Sequence, residues 1–287
     1  MSDKVDIKTL LEAGAHFGHK TSRRNPHMEK YIHSKRGGIH IINLEQTKDQ
    51  LEKSAKFLNS VAASGKQVLF VGTKKHIAPT IKEIAEKVNM PYVVERWMGG
   101  MLTNFATMSE RIKRLKQLNE ELESGELSET YNKREILEFS EERDKLAQDF
   151  GGIMEMDEAP AAIFISDVII EKTAIREARR LKIPIVAIVD SNGDPTVVDY
   201  PIPANDDALK TIELITSVLA DAIAEGVAEY SSKPRPKEAD KTSSLKKADT
   251  KTDNKTVKPA TKKPATTKAS STKPKTTDTK SSKKEDK

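Results

Sequence analysis

The stretch from His16 to Ile41, HFGHKTSRRNPHMEKYIHSKRGGIHI, concentrates residue types that do chemistry. It holds five of the chain's six histidines (16, 19, 27, 33, 40), six lysines and arginines, and one acid, Glu29. Imidazoles can ligate metal or move protons, and clustered cations hold polyanions. His16 and His19, three apart, could share a helical face, and with His27 or His33 they form a nominal zinc set. Against that set, the chain has no cysteine, Glu29 is the only nearby carboxylate, and the surrounding cations oppose a divalent ion. Catalytic histidine fares no better, because no local acid orients a ring and no serine follows a nucleophile-elbow pattern. The residues therefore predict no metal and no cofactor.

Phosphate recognition suits the segment better. Lys20, Arg23, Arg24, Lys30, Lys35 and Arg36 are forked or flexible donors, and Ser22, Asn25 and the Gly37-Gly38 amides can join them. Phe17 and Tyr31 lie among the cations, available to stack on a base or to pack inward. No helical or strand period runs through the stretch. A connection of about 25 residues is far longer than usual, which favours nucleic-acid recognition over a merely solvated basic loop. Three further segments follow apolar runs. VGTKKH (71–76) presents Lys74 and Lys75 but has a single glycine and lacks phosphate-loop spacing. ERWMGGMLTNF (95–105) carries Arg96, Trp97 and Asn104; the tryptophan reads as a packing anchor. DSNGDP (190–195) opens like a calcium loop, but Pro195 and Pro201 exclude an EF-hand.

The elements that must position these loops alternate. Asn43 can cap a helix with apolar positions Leu44, Leu51, Ala55, Leu58 and Ala62, ended by Gly65. Short apolar runs at 67–72, 92–95, 161–166 and 184–190 read as buried strands, with helices at 77–88, 171–181 and 206–225 between and after them. This pattern predicts a doubly wound, flavodoxin-like or Rossmann-like parallel sheet. Residues 104–152 interrupt it. Phe105, Met108, Ile112, Leu115, Asn119 and Leu122, then Ile136, Phe139, Arg143, Leu146 and Phe150, follow heptad spacing, predicting an antiparallel coiled-coil hairpin. From Glu110 to Glu158 there are 15 acids and 8 bases. The hairpin should therefore face protein or solvent, with a basic cluster at Arg111, Lys113, Arg114 and Lys116.

Charge is unevenly distributed. Residues 231–287 carry 18 basic and 7 acidic side chains, and residues 1–230 carry 31 and 37, so the overall +5 comes from the tail. The tail's Lys, Thr, Ser, Pro and Ala composition predicts disorder. The first residues lack an apolar signal region and no apolar run reaches about 18 residues, so neither secretion nor membrane association is expected.

The motifs LLEAGAHFGHKTSRRNPHMEKYIHSKRGGIHIINLEQT, VGTKKH, RWMGGMLTNF and AIVDSNGDPTVVDYPIPANDDA resemble the bacterial small-subunit ribosomal protein S-two family, colinearly over about residues 5–225. The resemblance implies an α/β RNA-binding domain (1–103 and 153–230), a coiled-coil hairpin at 104–152 and a separate Lys-rich tail at 231–287. It implies a noncatalytic, cytoplasmic ribosomal component at the head–body junction of the small subunit. Its partners would be ribosomal RNA and neighbouring ribosomal proteins, including S-one, without a membrane or a homo-oligomer. Matching motif positions carry RNA contact onto Lys20, Arg23, Arg24, Lys35, Arg36, Lys74, Lys75, Arg96 and Asn104. Arg24 stands where the family commonly has tryptophan, which favours a phosphate contact over stacking there. The competing expectation is a doubly wound enzyme holding a nucleotide and magnesium at loops 72–75 and 190–194.

Overall fold

In a computed structural model of the chain, residues 6–124 and 131–232 are described. The chain begins with α1 (Ile7–Glu12) and then builds a small sheet from β1 (Phe17–Lys20), β2 (Ile32–Arg36) and β3 (Ile39–Ile42). The sheet is antiparallel in the order β1-β3-β2. The segment expected to be an unpatterned loop is therefore built from three short strands and two 3₁₀ turns. Its alternation is broken by register shifts in both strand pairs, which hides the period of two. Between the strands, 3₁₀ turns at Thr21–Arg23 and Pro26–Tyr31 bury Met28 and Tyr31. The β2–β3 turn needs Gly37 and Gly38, whose φ values of +59° and +77° suit a two-residue hairpin and disfavour side chains.

Helix α2 (Leu44–Ala62) starts as expected: the Asn43 side chain accepts the Glu45 amide at 3.0 Å. Next come β4 (Val68–Val71), α3 (Ala78–Lys87) and β5 (Tyr92–Val93). Then follow α4 (Phe105–Ser124), α5 (Lys133–Phe150), β6 (Ala162–Ile165), α6 (Lys172–Arg180) and β7 (Ile185–Val189). The last are β8 (Tyr200–Pro203) and α7 (Leu209–Ser232). All pairings in the larger sheet are parallel, in the order β5-β4-β6-β7-β8. The strand sequence thus reverses at β4/β6, the usual place for a ligand crevice in a doubly wound sheet. Strand β8 was not expected. Its two prolines weaken a strand signal, yet an edge tolerates missing donors.

Every residue of β4, β6 and β7 is buried because apolar layers cover both faces. On one face Phe70, Phe164 and Ile188 meet Leu51 and Leu58 of α2, Ile81 of α3 and Ile212 and Leu219 of α7. Phe70 and Phe164 stand edge to face, with centroids 5.6 Å apart. On the other face Leu69, Ile163 and Ala187 share a cluster with Ile175 of α6, Met28 and Tyr31. That cluster extends into α4 and α5 through Ile112, Leu115, Leu118, Leu146 and Phe150.

Helices α4 and α5 pack together, and Arg114 Nη2 reaches Glu142 Oε2 at 3.1 Å. Along α5 the buried positions Leu146 and Phe150 fall on the predicted stripe. Along α4, Leu118 is buried, whereas the heptad had turned Asn119 inward. A straight helix of 3.6 residues per turn drifts off a strict heptad, bringing Leu118 onto the seam. Helix α7 runs to Ser232, past the expected start of the tail. The rest of the expected disordered tail, and the hairpin's turn at 125–130, lie outside the described residues. Among the described residues no helix is long and apolar enough to cross a membrane.

Candidate nucleic-acid interface

The small sheet sits on loops at the carboxyl ends of the parallel strands. The backbone N–H of His19 donates to Ser191 Oγ at 2.8 Å, and the amide of Asn25 to Ser191 O at 2.9 Å. Asn205 Nδ2 donates to Phe17 O at 2.7 Å. Gly18 permits this approach, since a Cβ there would lie 2.8 Å from Ser191 Oγ. Residues far apart in sequence thus fix the basic segment at the crevice end of the sheet.

On this platform Lys20, Arg23, Lys35 and Arg36 are exposed. None has a carboxylate partner among the described residues, and the same holds for exposed Lys75 and Arg96. Arg24 differs, its Nη1 pairing with Glu29 Oε1 at 3.2 Å. Asn104 is exposed just before α4, its Oδ1 accepting from Thr107 Oγ1 at 3.1 Å. Lys20 and Arg23 line a cleft of about 300 Å³ with Gly18, His19, Asp190 and Asp207.

Lys74 faces inward instead. Its Nζ lies 2.8 Å from Asp167 Oδ2, 3.2 Å from Asp206 Oδ1 and 2.9 Å from Asp207 Oδ1, and its side chain is 10% exposed. Burial opposes its charge, but hydrogen bonds to Asp167 and Asp207 and the field of Asp206 outweigh burial and raise the ammonium pKa. Next to it, burial pushes the Asp206 carboxyl up to about 7, helped by the charges of Asp167 and Asp190 and opposed by Lys74. Thr73 commits both its amide and its hydroxyl to Glu171 Oε1, at 2.9 and 2.6 Å. The 72–75 loop therefore spends its donors on carboxylates, and a nucleotide phosphate there would meet several buried acids.

The histidines have separate environments. His16 lies against Phe17, with ring centroids 3.9 Å apart. His19 Nδ1 is 3.0 Å from Asp190 Oδ2. His27 Nδ1 is 3.1 Å from Asp194 Oδ1, His33 is exposed on β2, and His40 is fully buried. The set of His16, His19, His27 and His33 weighed from sequence is not assembled. Tyr31 packs inward and Phe17 stays half exposed. Trp97 is anchored as expected, donating through Nε1 to Glu177 at 3.2 Å.

Sequence reasoning missed two features. The acids that meet Lys74 and His19 follow β6, β7 and β8, and nothing local in the sequence links them. The exposed basic face of α6, with Lys172, Arg176, Arg179 and Arg180, was legible from helical spacing. Lys172, Arg176 and Arg179 border a cleft of about 420 Å³ with Asn25, Asn192 and Asp194.

The profile of the family described as Ribosomal protein S2 matches residues 10–226. The chain is similar to small ribosomal subunit protein uS2 of Bifidobacterium longum, 49% identical over 228 residues covering 79% of this chain and 81% of that protein. Against uS2 of Mycobacteroides abscessus the identity is 50% over 223 residues, covering 78% and 80%. Against that of Fusobacterium nucleatum it is 48% over 222 residues, covering 77% and 90%. The chain therefore belongs to the Ribosomal protein S2 family, whose members are structural proteins and not enzymes.

Proposed function

We propose that this chain is a structural constituent of the bacterial small ribosomal subunit, working in the cytoplasm by binding ribosomal RNA at the head–body junction and helping to dock protein S-one. The carrying observation is that Lys20, Lys35 and Arg36 of the small sheet and Arg23 of the 3₁₀ turn after β1 are exposed without carboxylate partners among the described residues. Long side chains of that kind neutralise phosphates, and a rigid platform keeps the ordering cost low. Arg24, Lys75, Arg96 and Asn104 extend the proposed contact surface, and the basic face of α6 adds to it. Lys74 serves beneath the surface, holding the loop that presents Lys75. Residues 1–103 and 153–230 act as the RNA-binding domain. The acidic, coiled-coil hairpin of 104–152 faces protein neighbours, and the 231–287 tail adds nonspecific attraction to nucleic acid.

Crosslinking of native small subunits, followed by mapping of RNA-linked peptides, tests this reading. Crosslinks should concentrate in 16–41, 72–76 and 95–105. Crosslinks mainly within 120–142 would overturn the charge argument. Migration as a free monomer on low-salt gradients of ribosome-rich extract would overturn the ribosomal assignment.

A further inference from the structure

The cleft beside α6 holds groups that phosphate neutralisation alone does not use. Its volume is about 420 Å³, inside the roughly 300–1,000 Å³ typical of small-ligand pockets. Val168, Ile169, Ile175 and Val197 supply apolar lining. Lys172, Arg176 and Arg179 border it, exposed and without carboxylate partners among the described residues. Lys172 and Arg176 stand four residues apart, as do Arg176 and Arg180, so like charges repel along one helix face. An anion held between them relieves that repulsion.

The polar groups lining the cleft have a defined donor and acceptor pattern. Asn25 Oδ1 accepts the His27 amide at 3.0 Å, which leaves its Nδ2 to donate. Asn192 Oδ1 is buried and accepts no hydrogen bond from the described residues. A buried oxygen of that kind calls for a donor. Asp194 adds a carboxylate whose Oδ1 takes the amide and hydroxyl of Thr196 at 2.9 and 2.7 Å and faces His27 Nδ1 at 3.1 Å. A carboxylate repels phosphate, so its place in a cation-bordered cleft is explained by a ligand that also carries N–H donors. Two acceptors and one donor complement a base edge with two donors and one acceptor. Guanine presents that edge through N1–H, the N2 amine and O6, whereas each other RNA base presents a single donor group there. An acidic peptide would satisfy the cations but would be repelled by Asp194.

We propose that this cleft takes one unstacked guanine nucleotide of single-stranded RNA. The base lies against the apolar lining, its edge meets Asp194, Asn192 and Asn25, and the phosphates rest on Lys172, Arg176 and Arg179. Guanidinium groups suit this double task, because they pair with phosphate and stack on bases. Asn25 joins the cleft to the basic platform: Arg23 and Arg24 directly precede it, and its amide donates to Ser191 O at 2.9 Å, beside Asn192. A strand held by the platform thus continues into the cleft. The site rests on the RNA reading proposed above and adds a base preference that exposed cations by themselves do not provide.

The test uses the full chain and fluorescence anisotropy with labelled oligouridylates carrying one central guanosine or one central adenosine. The guanosine oligomer should bind roughly tenfold tighter. Asp194→Asn should bring that ratio close to one, whereas Arg176→Ala should weaken both oligomers by about threefold to tenfold and leave the ratio in place. Arg176 is exposed, so its variant keeps the test open if Asp194→Asn does not fold; circular dichroism checks both. Equal affinity for the two oligomers, or no effect of Arg176→Ala, would overturn the proposal. So would free GMP binding as tightly as the guanosine oligomer, or an Asp- and Glu-rich peptide binding more tightly than either. A small-subunit RNA fragment is titrated in parallel. Its retained binding, with no guanosine preference, removes this site and leaves the RNA reading intact; loss of its binding removes both.

Discussion

Glu177 Oε1 accepts a hydrogen bond from the indole Nε1 of Trp97 at 3.2 Å, and the same oxygen accepts the Gly100 amide at 2.8 Å. Its other oxygen takes the amides of Leu102 and Thr103 at 3.0 and 3.2 Å. One carboxylate from α6 thus organises the loop that carries Arg96 and leads into α4. Glu177→Ala would strand several donors in a site only 8% exposed. At about 1–3 kcal/mol per stranded donor, with partial rescue by water, a loss of roughly 3 kcal/mol is expected in urea unfolding.

The same residue sets a pH dependence. Burial raises its pKa, but the donors from Gly100, Trp97, Thr103 and Leu102 outweigh burial and lower it below the ordinary value of 4.5. Its stabilising contribution is therefore complete above that value and is lost as pH falls through the lower folded pKa. The stability gap between the native chain and Glu177→Gln should be widest near neutral pH and narrow in acid, as measured by urea midpoints at successive pH. A gap that widened in acid would contradict this assignment.

Lys74 and Arg36 should respond oppositely to substitution. Arg36→Ala removes an exposed, unpaired charge, leaving stability within about 0.5 kcal/mol while reducing the salt slope of RNA-fragment binding by roughly one. Lys74→Ala leaves Asp167 and Asp206 buried without their partner and should cost about 3–5 kcal/mol in chemical unfolding. Filter binding across a salt series, paired with denaturation curves, separates the two effects.

Helices α2 and α7 meet closely at Gly226. A Cβ there would lie 2.4 Å from Asn59 O and 2.9 Å from Ala62 Cβ. Asn59 Nδ2 also donates to Ala222 O at 2.9 Å, holding the helices at that distance. Gly226→Ala should separate them and lower stability by about 1–3 kcal/mol, despite alanine's better helix propensity. Thermal unfolding would measure it.

Replacing the turn glycines probes the platform itself. Gly37→Val forces a β-branched residue to φ +59° and should disrupt the β2–β3 hairpin. The outcome expected is weaker RNA-fragment binding with little change in global unfolding, because a Cβ at Gly37 meets nothing within 4 Å.

The sequence by itself determined the layered architecture. Continuous apolar runs such as VLFV, AIFI and IVAIV are stable only between covered faces, and helices of 3.6-residue period separate them. The Asn43 cap and the α5 stripe were equally legible, because each depends on neighbours within a few residues. Tertiary structure alone decided the chemistry of the crevice. Asp167, Asp190, Asp206 and Asp207 follow three different strands, and only the order of the sheet brings them to Lys74 and His19. A local reading saw His19 beside cations and assigned it no acid. Long-range packing surrounds it with carboxylates and leaves exposed the cations that do not reach them.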